Sequence, residues 1–305
     1  YANGVSFYKI TSLDDAKYTA SFGTAANTTF QVNFGQDPTF CDQFSGGDVG
    51  TQTDENGNGL FKYAPSTGFL AICSASLPEP SIGPNSSTQA DDYFNTVLYT
   101  GKGSTSHGIT GVGFQPDWVW IKNRPDVVDH VITDAVRGAT KRLESNSADT
   151  EVTQTEDLQS FDADGFTVGN QNRVNGSSDA MVAWNWKAGG TAVSNTDGSI
   201  TSNVSANQDA GFSIVSYTGT GANATIGHGL SSAPEMILIK ARTRAENWLA
   251  YNKFDGGTDG RSFLNLNTTG AKFDNGPNSY FQDTPPTASV FYQNNSSYNT
   301  STDTY

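Results

Sequence analysis

Basic residues are scarce in this sequence. Lys and Arg number 17 against 31 Asp and Glu, which gives a formal net charge of −14 at pH 7. The cations stand singly, apart from the pair Lys141-Arg142. Proteins that bind nucleic acid neutralise its phosphates with clustered Lys and Arg. We therefore expect no nucleic acid among the partners of this chain.

Long apolar runs are also missing. No run approaches the ~20 residues that a membrane-spanning helix needs, so we expect no membrane insertion. The chain starts at Tyr1 without an initiator Met and without the basic-then-apolar pattern of a signal peptide. We take this start as an interior position in a longer polypeptide.

The two cysteines, Cys41 and Cys73, leave two interpretations open. They form a disulfide or they are buried free thiols, and a chain of 305 residues does not need the bridge in order to fold. No CxxC motif and no nearby His accompanies them, so metal ligation is the less favoured assignment. The redox compartment stays open.

Charged residues make up only 16% of the chain and hydrophobic residues 35%, yet the composition is not typical of disorder. Disordered chains combine low hydrophobicity with high charge and few aromatic residues. This chain has 5 Trp, 12 Tyr and 18 Phe spread along its length. That aromatic content is enough for several small cores.

Apolar residues alternate with polar ones in short segments bounded by Gly, Asn, Asp or Pro. These segments are 29–34, 118–122, 181–187, 212–217 and 236–240. Alternation at period two predicts strands. The segment 126–143 has β-branched residues and no sustained helical stripe, so it does not predict a helix. The sequence predicts an all-β fold.

One segment of the chain is repeated. Tyr99-Thr100-Gly101 recurs as Tyr217-Thr218-Gly219, an offset of 118 residues (217 − 99), and the offset holds without a gap from Gly111 to Arg124. Segment 174–181 matches 298–305 at an offset of 124 (298 − 174), which implies a short insertion in the second copy. Two copies of one module are therefore expected.

The second copy stops where the first continues through 182–187. We expect that the polypeptide continues beyond Tyr305 or that a neighbouring chain donates the missing strand. Dense prolines over 77–87 mark a linker. The expected domains are 1–80, a linker over 81–98, the first repeat over 99–190, a connector over 191–211 and the truncated second repeat over 212–305.

The N-terminal part resembles a known module. The segments that carry the resemblance are Asn33-Phe34-Gly35-Gln36, Tyr63-Ala64-Pro65, Gly68-Phe69-Leu70-Ala71 and Leu77-Pro78. They resemble the closing strands of concanavalin A-like, SPRY-type sandwich modules of tailed-phage virion proteins. The resemblance implies that residues 1–80 are the C-terminal part of such a sandwich. It also implies that the all-β fold consists of tandem antiparallel β-sandwich modules of the concanavalin A-like or jelly-roll type.

The repeat also resembles a known family. Its segments are Tyr99-Thr100-Gly101, GVGFQPDWVWIKNR at 111–124, Val136-Arg137-Gly138-Ala139, FDADGF at 161–166 and VAWNW at 182–186. They resemble a repeat of marine and cyanobacterial phage tail-fibre-like proteins, and the second copy matches less well because SSAPEM at 231–236 replaces the aromatic version. The resemblance implies a virion fibre or spike component that binds a glycan or the host surface, and it brings no catalytic chemistry.

Two acidic segments partly match the pattern of a calcium-binding loop. Asp54, Asn56, Asn58 and Gly59 fit the first half of a D-x-N-x-N-G loop, but Pro65 stands where the bidentate Glu should be. Asp162-Ala163-Asp164-Gly165 is a still shorter match. We interpret both segments as turns.

Aromatic and histidine side chains are the remaining candidates for a site. They are Trp118, Trp120, Trp184, Trp186, Trp248, His107, His130 and His228. Tryptophan faces could stack on sugars, but packing inside a sandwich is the favoured interpretation. The histidines have no metal-ligand spacing, and no G-x-S-x-G nucleophile motif is present. The sequons at Asn27, Asn203 and Asn223 follow from the composition. We assign no catalytic, cofactor-binding or metal-binding residue.

The expected function is that of a structural and adhesive virion protein, a tail fibre or spike that recognises the host surface. The expected partners are other copies of the chain, in a trimer, other virion proteins and a host glycan or receptor, and the expected location is the virion or the extracellular space. Three alternatives stay open: a capsid decoration protein, a subunit of a bacterial extracellular filament or adhesin, and a polysaccharide depolymerase with a carboxylate pair.

Overall fold

The computed structural model describes residues 50–61, 63–71, 89–255, 260–274 and 280–305. The chain divides into two compact units, residues 1–79 and 80–305. In the first unit, the described residues contain an antiparallel bridge between Gln52 and Phe61. Most of the concanavalin A-like module expected over 1–80 lies outside the described residues. The strand expected over 29–34 and the two cysteines lie wholly outside them.

The first repeat is built almost entirely of strands. Its elements are β1 (Phe94–Thr100), β2 (His107–Thr110), β3 (Trp118–Asn123), β4 (Val131–Asp134), β5 (Lys141–Glu144), β6 (Val152–Thr153), β7 (Leu158–Asp162), β8 (Gly165–Val168), the short helix α1 (Asn172–Asn175) and β9 (Ala180–Trp186). A six-stranded sheet has the order β1-β9-β3-β4-β5-β6, and a three-stranded sheet has the order β2-β8-β7. Apolar residues of both sheets form one buried core that includes Ile109, Val119, Ile121 and Phe166.

The second repeat, together with the connector before it, is also built of strands. Its strands are β10 (Val193–Asn195), β11 (Ser202–Asn207), β12 (Phe212–Tyr217), β13 (Ala224–Gly227), β14 (Met236–Ile239), β15 (Leu249–Asn252), β16 (Ser262–Asn265), β17 (Phe273–Asp274) and β18 (Val290–Gln293). They form the sheets β10-β11-β12, β13-β18 and β14-β15-β16-β17. Its core is aromatic, with Tyr217, Tyr251, Phe281 and Phe291 buried together.

The prediction of an all-β fold is confirmed. All pairings between the named strands are antiparallel, and apolar residues from opposed sheets form common cores. The strands expected over 118–122, 181–187, 212–217 and 236–240 are β3, β9, β12 and β14. The segment 126–143, where no helix was predicted, contains β4 and most of β5.

Two segments expected to be connecting chain are partly sheet. β11 lies in the connector 191–211 and pairs with β12 over its whole length. The alternation of apolar residues did not predict β11 because two of its buried residues, Ser202 and Ser205, are polar. The Ser202 hydroxyl donates to the carbonyl of Gly227, and the Ser205 hydroxyl donates to the carbonyl of Gly190. Similarly, β1 begins at Phe94, so the end of the range 81–98 belongs to the first sheet rather than to a linker.

Candidate functional site: the closing turns, the joint between the repeats and the surfaces beside it

A buried asparagine fixes the turn that follows β1 in the first repeat. This turn, residues 101–104, and its equivalent in the second repeat, residues 219–222, are called the closing turns below. The side-chain Oδ1 of Asn175 accepts the backbone N–H of Lys102 at 2.7 Å, and its Nδ2 donates to the carbonyl of Ser104 at 3.0 Å. The backbone N–H of Gly103 donates to the carbonyl of Asn175 at 2.8 Å. Because an amide offers a donor and an acceptor at once, this one side chain fixes the turn after β1 against α1.

The same turn recurs in the second repeat. Oδ1 of Asn299 accepts the N–H of Thr220 at 3.0 Å, its Nδ2 donates to the carbonyl of Ala222, and Gly221 donates to the carbonyl of Asn299 at 2.7 Å. The positions differ by 118 (220 − 102) and 124 (299 − 175) from those of the first repeat. The two repeated segments thus fold into one and the same hydrogen-bonded arrangement.

An ion pair joins the repeats. Arg242 of the second repeat donates to Glu151 of the first, from Nε at 2.8 Å and from Nη2 at 3.0 Å, and Arg137 adds a contact at 3.2 Å. Burial raises the pKa of the Glu151 carboxyl, but the hydrogen bonds and charges of Arg242 and Arg137 outweigh this effect and hold the pKa below its usual value. The backbone N–H of Glu151 also donates to the carbonyl of Arg242 at 2.9 Å.

Trp248 is the apolar part of the same joint. Its side chain is buried with Ile132 and Leu143 of the first repeat, and its Nε1–H donates to the carbonyl of Glu144 at 2.8 Å. The buried Lys240 ammonium donates to the carbonyl of Ala148 at 3.1 Å, and burial lowers its pKa to about 8. Apolar packing and directed hydrogen bonds together fix the orientation of one repeat on the other.

The interpretation that the tryptophans pack inside the sandwich is wrong for the four on β3 and β9, which form an outer face. Trp118, Trp120, Trp184 and Trp186 point away from the core of the first repeat and are half-buried. Trp118 and Trp120 pack against the cluster of Ile132, Leu143 and Trp248, to which both repeats contribute. On β1, the neighbouring Leu98 is 65% exposed, so one part of this face stays open to solvent.

A polar cleft lies where the chain leaves β9 and passes β11. It has a volume of about 530 Å³ and is lined by Gln115, Asp117, Lys187, Asn207, Gln208 and the small residues 188–190 and 206. The buried Asp117 carboxylate accepts the N–H groups of Ala188 at 2.8 Å and Gly190 at 3.3 Å, and burial raises its pKa. Amide, ammonium and carboxylate groups at the edge of one cleft can hydrogen-bond a hydroxyl-rich ligand.

The two calcium-like segments are turns in the structure. Oδ1 of Asp54 accepts the N–H groups of Asn56 at 3.0 Å and Asn58 at 2.8 Å, and Oδ2 accepts that of Ala71 at 2.8 Å. Asp164 accepts the N–H groups of Gly111 and Gly113 at 3.0 and 2.7 Å. The bond from Asn56 makes Asp54 part of an Asx turn. Asp164, in the turn between β7 and β8, instead accepts from the backbone of a loop that is distant in the sequence.

The rings of two of the three histidines make hydrogen bonds within their own repeat. His107 hydrogen-bonds from Nδ1 to Oδ1 of Asn175 at 3.0 Å, and burial lowers the pKa of His130. His228 is buried, with Nδ1 accepting the N–H of Leu230 and Nε2 facing the carbonyl of Thr287, each at 3.1 Å. Among the residues that the structure describes, no group of three or more His, Cys, Asp or Glu side chains could hold a metal ion.

Two of the sequons are surface positions. Asn203 on β11 and Asn223 before β13 are exposed, and Asn27 lies outside the described residues. In the described ranges, none of the helices has the length and apolar character needed to cross a membrane.

The sequence could have indicated the closing turns, since the same Asn stands in both copies, but it carried no signal for the pair of Arg242 and Glu151.

Comparisons with known proteins place the chain in a family. No curated protein and no solved structure matches it. A family model described as a domain of unknown function, DUF7483, matches residues 89–305, a range that contains both repeats. The chain therefore belongs to the DUF7483 family.

Proposed function

We propose that this protein is a structural and adhesive component of a virion appendage, a tail fibre or spike, in which the repeats are stiff spacers and carry a surface that engages the host. The observation that carries the proposal is the joint between the repeats. Arg242 and Glu151 form a largely buried two-point ion pair, with side chains 20% and 12% exposed. Such a joint resists bending between modules, which a flexible linker does not.

The sequence resemblance to tail-fibre-like repeats supports the same function. A fibre must transmit force and hold its tip away from the particle, and tandem β modules with fixed orientations do this. The partners in this proposal are other copies of the chain in a trimer, other virion proteins and a host-surface glycan. The location is the virion, outside the cell.

Glycan binding in this proposal uses the polar cleft between the end of β9 and β11. Gln115, Lys187 and Gln208 offer donors and acceptors at its edge, and sugar hydroxyls need both. The open part of the aromatic face, at Leu98 and Trp184, offers flat apolar surface of the kind that packs on a sugar ring.

Immunogold electron microscopy tests the proposal. The sample is purified virions whose genome encodes this chain, labelled with an antibody raised against the folded first repeat. Label on the tail appendages is the expected result. Label over the head would assign the protein to the capsid decoration class, and absence of label, with the protein found in bacterial filaments, would overturn the virion function. Release of reducing sugar from host polysaccharide by the purified chain would instead indicate a depolymerase.

A further inference from the structure

One long edge of the first repeat is open. β1 is the outermost strand of the six-stranded sheet, and among the described strands it pairs with β9 alone. Gly101 donates to the carbonyl of Asp179 at 2.9 Å, and Lys187 donates to that of Tyr93 at 2.8 Å. Because alternate residues of an antiparallel pair bond to the partner strand, these two bonds fix which peptide groups of β1 point away from β9. They are the groups of Phe94, Thr96, Leu98 and Thr100.

The described part of the chain leaves these four positions uncovered. No hydrogen bond of the described residues reaches their outward-pointing peptide groups. Their side chains are exposed as well, and two of them are apolar. Phe94 is 38% exposed and Leu98 is 65% exposed. The edge therefore offers both backbone partners and apolar surface.

The second repeat shows that an edge of this kind accepts a strand. Its equivalent of β1 is β12, since Phe94 and Phe212 differ by the repeat offset of 118 (212 − 94). The N–H of Gly219 donates to the carbonyl of Asp303 at 2.8 Å, so this side of β12 corresponds to the β9 side of β1. β11 pairs antiparallel with the opposite edge of β12 over six residues. The corresponding edge of β1 is the open one.

The sequence of β1 does not protect its edge. Natural edge strands are usually blunted by a charged residue, a proline or a bulge. The sequence FNTVLYT over 94–100 has no charged residue and no proline, and its pairing with β9 has no register shift. An exposed and regular edge with apolar side chains is a template for another strand.

The charges at the two ends of β1 indicate which strand fits. Asp91 and Asp92 precede β1, Lys102 follows it, and all three are exposed. A second β1 in antiparallel orientation brings its basic end to this acidic end and its acidic end to Lys102, so opposite charges meet at both ends. A parallel β1 would bring like charges together. The edge is therefore complementary to itself about a two-fold axis.

We propose that the open edge of β1 is an interface between two copies of this chain, which pair antiparallel through this strand. In the register that places Thr96 opposite the partner's Thr96, Phe94 faces the partner's Leu98, and the reciprocal pair forms by symmetry. Apolar cross-strand pairs of this kind stabilise a sheet. The contact has two-fold symmetry, so it joins single chains or whole trimers in pairs. This inference does not depend on the virion function.

Analytical ultracentrifugation and residue-resolved amide hydrogen exchange of the full 305-residue chain test this contact. We expect the mass to double as the concentration rises, for a single chain from 32.4 kDa. In the paired state, exchange at Thr96 and Leu98 should slow by about tenfold or more, because their N–H groups gain partners. The amide of Val97, which points to β9, is the internal control and should exchange equally in both states.

Two variants block the edge and leave the bonds to β9 in place. Thr96→Pro replaces an outward-pointing N–H with a ring, which an edge strand tolerates, and Leu98→Lys puts a charge on an exposed position. Each should weaken pairing by about tenfold or more, since each change occurs twice in the contact. The matched control is Val193→Lys on the edge strand β10, because Val193 is 64% exposed and the change in charge is the same. This control should pair like the original chain.

Three outcomes would overturn the proposal. A mass that stays constant up to about 1 mM means that the copies do not pair. Slow exchange of Thr96 and Leu98 in the dilute chain means that the chain covers this edge itself. Association that survives both Thr96→Pro and Leu98→Lys means that the contact lies elsewhere. A three-fold assembly that is insensitive to both variants would leave the virion function standing and overturn only this contact.

Discussion

Arg242 and Glu151 lie 91 positions apart in the chain and meet through two hydrogen bonds, from Nε to Oε2 at 2.8 Å and from Nη2 to Oε1 at 3.0 Å. The guanidinium is planar and presents its donors in a fixed fork, so a two-point contact sets an angle as well as a distance. The pair therefore couples the orientation of the second repeat to that of the first.

Replacing Arg242 with Met should uncouple the repeats. Removal of Arg242 takes two charge-assisted hydrogen bonds from Glu151, which keeps only the contact from Arg137 at 3.2 Å. We therefore expect a loss of about 2–4 kcal/mol in the free energy of unfolding. Differential scanning calorimetry should then show separate transitions for the two repeats where the unchanged chain shows them coupled.

The control for this variant is Lys253→Met. Lys253 pairs with Glu235 at 2.8 Å, but both side chains are about half exposed, at 52% and 54%. Exposed pairs contribute about 0–1 kcal/mol, so the calorimetric profile should barely change. Equal effects of the two substitutions would show that the position of Arg242 in the joint has no special importance.

The two closing turns should differ in their sensitivity to substitution. Asn175 accepts from Lys102 and His107 and donates to Ser104 and Gly169, whereas Asn299 bonds to Thr220 and Ala222. We expect Asn175→Ala to cost about 3 kcal/mol and Asn299→Ala about half as much, because fewer buried partners lose their hydrogen bonds. Urea unfolding followed by circular dichroism measures both, and a larger cost for Asn299→Ala would contradict this explanation.

The strands that the sequence predicted correctly share one property. In 118–122, for example, the residues that face the core are Val119 and Ile121, and apolar residues at alternate positions are a signal that needs no tertiary information. β11 lacked this signal because two of its buried residues, Ser202 and Ser205, are polar and satisfied by carbonyls that come from distant parts of the chain.

The joint could not be predicted from the sequence for a related reason. Trp248 was expected to pack, but its partners Ile132, Leu143 and Glu144 belong to the other repeat. Contacts of this kind depend on how two finished modules meet, and neither period nor propensity encodes that. The closing turns were partly predictable, since a repeated motif preserves Asn175 and Asn299 at equivalent positions.

Glycines at the closing turns are required for space. A Cβ built on Gly219 would lie 2.2 Å from the carbonyl oxygen of Thr300, and one on Gly101 would lie 2.0 Å from that of Gly176. We expect Gly219→Ala to destabilise the second repeat by about 2 kcal/mol or more, because the backbone must move apart. Gly108→Ala is the control, since its nearest contact would be at 3.8 Å. Thermal unfolding of the two variants should differ clearly, and equal melting temperatures would contradict the close approach.

The stability of the second repeat should depend on the protonation of His228. Burial lowers the pKa of this imidazole from its usual 6.5, and Nδ1 accepts the N–H of Leu230, which it can do only when it carries no proton. The unfolded chain therefore binds a proton at a higher pH than the folded chain. The stability contributed by the neutral imidazole is present above pH 6.5 and is lost as the pH falls through the lowered pKa of the folded state.

Urea unfolding at a series of pH values between about 7.5 and 5 measures this contribution as a fall in the free energy of unfolding. His228→Gln keeps a donor and an acceptor near Thr287 and Leu230 but does not titrate, so its stability should fall less over the same range. His130 has a pKa that is also lowered by burial, and it is present in both proteins, so its effect cancels when the two profiles are subtracted. Parallel profiles for the original chain and the variant would mean that His228 keeps the same proton affinity when the chain unfolds.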